Sequence, residues 1–352
     1  MGVLEGLIVG SWPGPGYPLG NKFLIRFGDI LTSGGLKVVD VTWPWFAITR
    51  KIDILQIHWP DMVFWRGAGA ITTILRTFGV VASLLILKLK GVELVWCVHD
   101  LAPHDASRLR LQLWRWYATI IAHLVDAYLT LSPSTITVAS EHFVGLKGKA
   151  ATFFWHPPYE VPKSKFFESA WREKHGIQLS ANVLALVGQV RAYKGVEELV
   201  SSFCNTKDPN LRLVVAGMPF GQHLRDLLDR AANFDHRIIL DLRWLSDQEL
   251  CEIITAANLI VLPFKQTLHS GSIIYGLSCG RAVLTPATPF ANDLKKEIGD
   301  RWIRTYETPL SAAILSQQAA PPHGMPDLEF LSVRESGEKL RAFYHGLAVL
   351  KH

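Results

Sequence analysis

Titratable residues are concentrated in the segment HDLAPHD, which begins at His99. The segment directly follows the apolar run 92–98, which is typical of a buried strand. A carboxylate or an imidazole at a strand end can accept the proton of an attacking hydroxyl group. Asp100, His99 and His104 are therefore the candidate general bases, and Asp100 is preferred because a carboxylate is ionised at neutral pH. The alternative is a structural segment in which Asp105 caps the next helix.

A second candidate site lies in the segment GQVRAYKG, which begins at Gly188 between a predicted strand and a predicted helix. Arg191 and Lys194 place two cations near the start of that helix, where main-chain N–H groups lack intrahelical partners. Cations and free N–H groups together bind anions, so this loop is predicted to hold a diphosphate. The alternative is that both cations are solvated surface charges.

Two further loops have the composition of anion sites. His269, Ser270, Gly271 and Ser272 open a predicted helix and offer hydroxyl and N–H groups to phosphate oxygens. The alternative for this segment is simple helix capping. Nearer the N-terminus, the segment SWPGPG contains Gly14 and Gly16, which would let the main chain approach a phosphate or an acceptor closely. It could equally be a plain connector.

The sequence predicts no metal site. It contains no D-x-D motif and no phosphate-binding G-x-x-x-x-G-K-[ST] motif. The four cysteines are widely spaced, which indicates free thiols in a reducing compartment rather than zinc ligands. Charge neutralisation is therefore expected from Arg191, Lys194 and helix termini. The cysteines are Cys97, Cys204, Cys251 and Cys279.

Strand-like and helix-like segments alternate along the whole chain, which predicts parallel sheets covered by helices on both faces. In the first half, strands are predicted at 4–9, 37–41, 53–58, 92–98, 127–131 and 151–154, and helices at 21–33, 68–87, 108–123 and 134–143. In the second half, strands are predicted at 183–187, 211–216, 237–240, 259–262 and 282–285, and helices at 196–204, 221–232, 246–256 and 272–279. A long final helix is predicted at 328–350, with Gly337 and Gly346 as candidate breaks.

The segment HPPYEVPKS at 156–164 interrupts this alternation, because three prolines prevent a continuing helix or central strand. It is the predicted linker between two Rossmann-like, doubly wound domains that face each other across a cleft. The predicted domains are residues 1–156 and 165–327, and the helix of 328–352 is a candidate for packing back on the first domain. Ligands of such sheets bind beyond the carboxyl ends of the strands.

Composition supports a folded protein of two domains. The chain has 352 residues, of which 49% are hydrophobic and 19% charged, and its net charge is +5. Residues 1–150 contain 14 basic and 10 acidic residues, so a charge of +4 lies there. This excess is too small and too dispersed to indicate nucleic-acid binding. The apolar run 78–87 is too short to span a bilayer and is either a buried helix or a helix lying on a membrane.

These segments resemble the GT-B glycosyltransferases of family 4, especially bacterial enzymes that build exopolysaccharide units on lipid diphosphates. GQVRAYKGVEELV looks like the family's donor loop, and HSGSIIYGLSCGRAVLTP like its phosphate loop. DLRWLSDQELCEIITAANLIVLPF looks like its base-and-ribose region, which adds Arg243 to the expected donor-binding residues. VWCVHDLAPHD resembles the motif around the reacting centre on the acceptor side.

One departure from the family pattern bears on the mechanism. Retaining members carry two glutamates eight positions apart, where this chain has Thr267 and Tyr275. The resemblance therefore favours the inverting relatives, which include β-mannosyl- and β-glucuronosyltransferases of exopolysaccharide synthesis. A retaining transferase and a non-catalytic nucleotide- or glycan-binding subunit are the alternatives.

The resemblance also implies the partners of the protein. The expected donor is a UDP- or GDP-sugar, with no separate cofactor, and the expected acceptor is a lipid-linked or oligosaccharide glycan. Because no signal peptide is evident, the expected location is the cytoplasm, at the inner face of the cell membrane. The N-terminal domain, with its basic charge and its Trp-rich segments, is the expected peripheral membrane contact.

Overall fold

The structure is a computed structural model that describes residues 6–17, 21–64, 69–103, 107–162, 167–265 and 267–349. The chain divides into two compact units. Unit 1 contains residues 1–157 and 330–352, and unit 2 contains residues 158–329. Each unit is an α/β structure built on one six-stranded parallel sheet.

The sheet of unit 1 has the strand order β2-β1-β3-β4-β5-β6. Its central strands are buried on both faces, which explains their continuous apolar sequences. The strands are β1 (Ile8–Trp12), β2 (Lys37–Asp40), β3 (Ile54–Ile57), β4 (Glu93–Cys97), β5 (Ala127–Thr130) and β6 (Ala150–Phe153).

Strand β1 lies farther along the chain than the predicted 4–9. Gly10 and Ser11, expected in the following loop, are inside the strand. A Cβ at Gly10 would lie 3.0 Å from Ile52 Cδ1. A glycine is therefore compatible with a tightly packed strand as well as with a turn. Composition alone could not distinguish these two structures.

Among its described residues, unit 1 has the α-helices α1 (Lys22–Ser33), α2 (Pro44–Ala47), α3 (Ala70–Leu89), α4 (Arg108–Leu124), α5 (Pro133–His142) and the C-terminal α13 (Val333–Val349). Helix α13 runs through Gly337 and Gly346 without a break. At Gly337 a Cβ would lie 2.3 Å from Ser33 Oγ of α1, so glycine permits close helix packing there. Tyr344 anchors α13 to the sheet by donating a 2.5 Å hydrogen bond to Gln56 Oε1.

The sheet of unit 2 has the order β12-β11-β10-β7-β8-β9. Its strands are β7 (Asn182–Val187), β8 (Leu211–Ala216), β9 (Ile238–Asp241), β10 (Leu259–Val261), β11 (Ala282–Pro286) and β12 (Ile303–Tyr306). Its helices are α6 (Phe167–Lys174), α7 (Val196–Cys204), α8 (Gln222–Phe234), α9 (Asp247–Ala256), α10 (Gly271–Ser278), α11 (Pro289–Ile298) and α12 (Ala312–Gln318). The sequence did not predict β12, α2, α6, α11 or α12.

The strand order of unit 2 defines where a ligand should bind. From β7 the chain proceeds outward through β8 and β9, and β10 then returns to the opposite side of β7. The direction of winding therefore reverses between β7 and β10. In doubly wound sheets a crevice opens at this point, beyond the carboxyl ends of the two strands.

Candidate active site

The loop after β7 turns sharply into α7. Gly188 has φ of 99° and Gly195 has φ of 70°, a backbone conformation that favours glycine. Between them a short 3₁₀ helix, Ala192–Lys194, directs the chain to the first turn of α7. The positions of these glycines are thus set by the turn.

Lys194 is enclosed by the loop that carries it. Its side chain is 6% exposed. Burial, and to a smaller degree the charge of Arg191, lower the pKa of Lys194 to about 8. No carboxylate pairs with this ammonium in the part of the chain that the structure describes. A buried cation without an acidic partner is unfavourable, and an anionic ligand would supply the missing charge.

Arg191 stands at the more exposed side of the same loop. Its guanidinium carbon lies 4.5 Å from the ring centre of Phe220. Its Nε donates a 3.1 Å hydrogen bond to Gln189 Oε1. These contacts hold the guanidinium in place near Lys194, whose pKa its charge lowers. The two predicted cations are therefore neighbours.

The loop after β10 leads to the first turn of α10. Ser270 caps the helix by accepting a 3.4 Å hydrogen bond from the main chain of Ile273. His269 is 8% exposed and meets the ring of Phe290 edge to face. Gly271 begins the helix, and Ser272 is half-buried in its first turn. All four predicted residues of this segment therefore lie at a helix N-terminus.

The two loops meet at the point where the winding reverses. The main-chain N–H of Lys265 donates a 2.9 Å hydrogen bond to the carbonyl oxygen of Tyr193. Gly195 approaches the residue that follows β10 by two positions, Pro263. The loop that carries the Lys194 ammonium and the loop that leads into α10 thus lie at one edge of the sheet. A diphosphate that contacts both would need this arrangement.

Arg243 occupies a different environment from the one predicted. Its guanidinium is 2.9 Å from Asp241 Oδ1 and 2.7 Å from Glu249 Oε1. Glu249 also completes the capping box of α9 with Ser246. Two carboxylates thus offset the positive charge of this exposed arginine.

The positions that hold glutamates in retaining relatives are filled by neutral side chains. Thr267 Oγ1 donates a 2.5 Å hydrogen bond to the main chain of His269. Tyr275 donates to the carbonyl oxygen of Asp247 at 3.3 Å, and its ring lies 5.1 Å from that of Tyr159. Burial raises the pKa of Tyr275. Neither residue supplies a carboxylate for a sugar or a ribose.

In unit 1, His99 and Asp100 follow β4 at the carboxyl edge of the sheet. His99 is 7% exposed, and its ring stacks on Trp59 with centroids 4.3 Å apart. Asp100 is half-buried. His104, the third predicted base, lies outside the described residues. The fold adds His58, which sequence reasoning missed, because it follows the neighbouring strand β3 and contacts His99.

His58, Cys97 and His99 form a buried cluster in which the potential metal-ligating atoms all lie within 4.8 Å of one another. The sequence argument looked for close pairs and therefore overlooked residues that only adjacent parallel strands bring together. Burial raises the pKa of the Cys97 thiol well above its usual value.

The glycine-rich loop after β1 is tied to an acidic side chain. The main-chain N–H of Gly16 donates a 3.0 Å hydrogen bond to Asp40 Oδ1. A Cβ at Gly14 would lie 2.0 Å from the same oxygen. A carboxylate therefore lies against this loop, and its charge would repel a phosphate.

Helix α3 exposes most of its apolar surface, in contrast to the buried-helix alternative. By length and composition it could cross a membrane, with a mean hydropathy of 2.0 over a window that is 22% buried. Its buried residues are Val80, Ser83, Leu84 and Leu87. Its exposed large apolar residues are Ile71, Ile74, Leu75, Phe78, Leu85, Ile86 and Leu89.

Neighbouring helices extend this apolar surface. Helix α4 packs on α3 and exposes Leu109, Leu113 and Trp116, three positions on one helical face. Helix α2 also packs on α3 and exposes Phe46. Of the two tryptophans of α4, only Trp116 is exposed. Trp114 is buried and donates to the carbonyl oxygen of Leu101.

Comparison with known proteins identifies the class of the chain. No protein-family model matches it. A GDP-mannose:glycolipid 4-β-D-mannosyltransferase of Xanthomonas campestris pv. campestris is 28% identical over 291 residues, which are 80% of this chain and 76% of that protein.

Solved structures match the fold over nearly the whole chain. HepE of Anabaena in complex with UDP and glucose has a TM-score of 0.59 at 13% identity, covering 98% of this chain and 99% of its own. WaaG, a glycosyltransferase of lipopolysaccharide biosynthesis, has a TM-score of 0.57 at 14% identity, covering 97% and 99%. Sucrose-phosphate synthase of Thermosynechococcus elongatus has a TM-score of 0.63 at 12% identity, covering 98% of each. The chain therefore has the GT-B fold of these glycosyltransferases and is similar in sequence to the Xanthomonas mannosyltransferase.

Proposed function

We propose that this protein transfers a sugar from a nucleoside-diphosphate sugar to a lipid-linked glycan with inversion at the anomeric carbon, in the synthesis of a bacterial cell-surface polysaccharide. The observation that carries the proposal is the buried ammonium of Lys194 at the reversal point of the unit 2 sheet, where no carboxylate among the described residues pairs with it. A diphosphate would neutralise this charge, and both Arg191 and the main-chain N–H groups at the start of α10 support an anion there.

Among nucleotide sugars, we place GDP-mannose first. The Xanthomonas relative that aligns over 80% of this chain uses GDP-mannose and a glycolipid. The structural neighbours that hold UDP are 10–13% identical, so they support the fold and leave the base open. A UDP-sugar is therefore the second candidate.

The proposed reaction assigns one proton transfer to unit 1. The Asp100 carboxylate takes the proton of the acceptor hydroxyl as its oxygen attacks the anomeric carbon. The bond from that carbon to the diphosphate breaks on the opposite face. The nucleoside diphosphate leaves with the bonding electrons, and Lys194 and Arg191 stabilise its added negative charge. Thr267 and Tyr275 offer no carboxylate at the positions that retaining relatives use, which supports inversion.

The glycolipid acceptor accounts for the exposed face of unit 1. We infer that α3 and α4 lie in the headgroup region of the inner leaflet, with their apolar side chains inserted and basic side chains near anionic lipids. Arg108 and Arg115 are exposed on α4 beside Leu109 and Trp116. This arrangement would keep a lipid-linked acceptor within reach of a peripheral cytoplasmic enzyme.

The test is to incubate the protein with GDP-mannose or UDP-glucose and a lipid-linked disaccharide, and to read the product's anomeric configuration by NMR. We expect a β-linked product from the α-linked donor. Asp100→Asn should lower turnover by at least about a hundredfold without changing sugar-donor affinity. Asp29→Asn, a change in an exposed acid that pairs with Arg26, is the matched control. An α-linked product would refute inversion, and near-normal turnover of Asp100→Asn would refute the base.

A further inference from the structure

Two histidines meet at the carboxyl edge of the unit 1 sheet. β3 and β4 are parallel neighbours, with Ile57 opposite Trp96. The register therefore places His58, the residue after β3, beside the end of β4, and His99 follows two positions beyond that strand. Although the two histidines are 41 residues apart, His58 Nδ1 lies 3.0 Å from His99 Nε2.

The surroundings of His58 keep its ring neutral. It is 1% exposed, and burial lowers its pKa to about 3. The ring of Phe27 lies 4.5 Å away and nearly perpendicular, and that of Phe23 lies 5.7 Å away. The second ring nitrogen of His58, Nε2, is buried and has no hydrogen-bond partner among the residues that the structure describes.

A neutral imidazole carries one proton on its two ring nitrogens. The environment of His58 Nε2 therefore indicates which of the two His58 nitrogens is protonated. If His99 donated to His58 Nδ1, the His58 proton would be on Nε2, leaving a buried N–H group unsatisfied. If His58 Nδ1 donates to His99 Nε2, only a lone pair is left unsatisfied. Buried N–H groups without partners are rarer than under-used acceptors, so the second arrangement is favoured.

We interpret the contact between the two rings as a hydrogen bond rather than a shared metal, and the zinc content of the purified protein tests this interpretation below. The observed 3.0 Å is a hydrogen-bond length. Cys97, the third member of the buried cluster, is then a neighbouring thiol.

We infer that His58 is a positioning residue that holds His99 in the tautomer protonated on Nδ1. In this form the Nε2 lone pair of His99 is occupied, and Nδ1 is a hydrogen-bond donor. His99 then has no free lone pair to accept the proton of an acceptor hydroxyl. The inference deepens the proposed function, on which it rests, by leaving Asp100 as the base and making His99 a hydrogen-bond donor.

Nitrogen NMR of protein labelled with ¹⁵N-histidine tests the tautomer directly. His99→Gln assigns the His99 signals, and His123→Asn, which changes an exposed residue of α4, controls for labelling. In the wild type we expect His99 to show a protonated Nδ1 and an unprotonated Nε2. In His58→Leu we expect the proton to move to Nε2, the form that free imidazole side chains prefer. His58→Asn retains an amide N–H near the position of Nδ1 and should preserve the wild-type tautomer.

A wild-type His99 protonated on Nε2 would overturn the inference, as would a tautomer unchanged in His58→Leu. If His58→Leu does not fold, the wild-type and His58→Asn spectra decide the question by themselves. Stoichiometric zinc in the purified protein that is lost in Cys97→Ser would also overturn it, in favour of a metal site.

Kinetic measurements distinguish a His58 that positions His99 from a His58 that only stabilises the fold. We expect His58→Leu to lower kcat about tenfold to a hundredfold with little change in the KM for the sugar donor, and His58→Asn to recover most of that loss. Equal losses in both variants would contradict a positioning role. If Asp100→Asn stays active while His99 has the expected tautomer, the proposed base fails and the positioning role stands.

Discussion

The main chain of Gly195 passes so close to Pro263 that a Cβ at Gly195 would lie 2.0 Å from the Pro263 carbonyl oxygen. This approach joins the loop after β7 to the loop after β10 at the reversal point of the unit 2 sheet. The spacing between the Lys194 loop and the α10 loop therefore depends on the absence of one side chain. A diphosphate site built from both loops would therefore also depend on the glycine at position 195.

Gly195→Ala should accordingly weaken nucleotide binding. The alanine must either displace the Pro263 backbone or leave its φ of 70°, and both changes separate the two loops. We expect the Kd for GDP, measured by calorimetry, to rise at least about tenfold, because misplacement by about 1 Å is costly at such sites. Gly176→Ala is the matched control, since Gly176 has φ of 63° but open space around it. Equal effects of the two substitutions would show that backbone strain, and not the contact, is responsible.

Lys194→Met should stabilise the ligand-free protein while weakening diphosphate binding. Lowering a lysine pKa from 10.5 to about 8 by burial corresponds to a cost of about 3 kcal/mol at neutral pH, which the neutral side chain avoids. We expect the thermal midpoint at pH 7 to rise by a few degrees and the Kd for GDP to rise at least about tenfold. The exposed Lys207→Met should change neither quantity. A destabilised Lys194→Met protein would indicate that an unidentified group already neutralises the ammonium.

The same residue predicts how binding depends on pH. Because the folded pKa of Lys194 is about 8, the ammonium loses its proton as the pH rises through 8, before an ordinary lysine would. Affinity for GDP should therefore fall as the pH rises above about 8, an interval in which GDP itself is already fully ionised. Near pH 8, calorimetry in buffers of different ionisation enthalpy should detect proton uptake on binding, because the diphosphate favours the charged lysine. The Lys194→Met variant should lose both effects, and their persistence would assign them to another group.

The stability of the ligand-free protein should depend on pH in the opposite direction to the affinity for GDP. The buried ammonium lowers the stability of the ligand-free fold fully below pH 8, and this penalty disappears as the pH rises from about 8 towards 10.5. The difference in unfolding free energy between wild type and Lys194→Met should therefore shrink across that interval. Denaturant titrations at pH 7 and pH 9 would measure it.

Vesicle binding should depend on the exposed face of α3. The double variant Leu75→Ser/Phe78→Ser removes two side chains that are 66% and 67% exposed, so we expect little loss of stability. Each inserted apolar side chain contributes about 1.5–3 kcal/mol, so partitioning onto anionic vesicles should fall at least about a hundredfold. Phe234→Ser, which changes a phenylalanine 81% exposed in unit 2, is the matched control. Unchanged partitioning of the double variant would place membrane binding elsewhere on the chain.

Turnover should survive an excess of EDTA. Lys194, Arg191 and the α10 N-terminus supply positive charge to the leaving diphosphate, which makes a divalent ion unnecessary for that role. The measurement is sugar transfer with and without chelator, followed by addition of Mg²⁺ or Mn²⁺. Loss of activity that either ion restores would contradict metal independence.

Much of the architecture could be predicted from the sequence, because short β-branched runs separated by amphipathic stretches specify parallel sheets covered by helices. Elements with weak patterns were missed. β12 is a four-residue edge strand, and α6 and α12 are a helix of eight residues and one of seven. Such short segments carry few periods of any hydrophobic pattern, so their structure depends on packing.

The candidate site residues could also be proposed from the sequence. Loops that join a strand to a helix are recognised by their glycines, cations and capping residues. Arg191, Lys194 and the segment 269–272 were found in this way. Tertiary structure alone decided the surroundings of each one. It buried Lys194 with no acidic partner among the described residues and placed Arg243 between two carboxylates.

Contacts between residues that are far apart in the sequence could not be predicted from any local sequence pattern. His58 follows β3 in a segment with no evident motif, and it reaches His99 only because β3 and β4 are adjacent in the sheet. In the same way Asp40, at the end of β2, meets Gly14 and Gly16 after β1. Sequence determined which residues end each strand, because β propensity and burial are local properties. The order of strands in the sheet decided which of those ends are neighbours, because that order follows from packing of the whole domain.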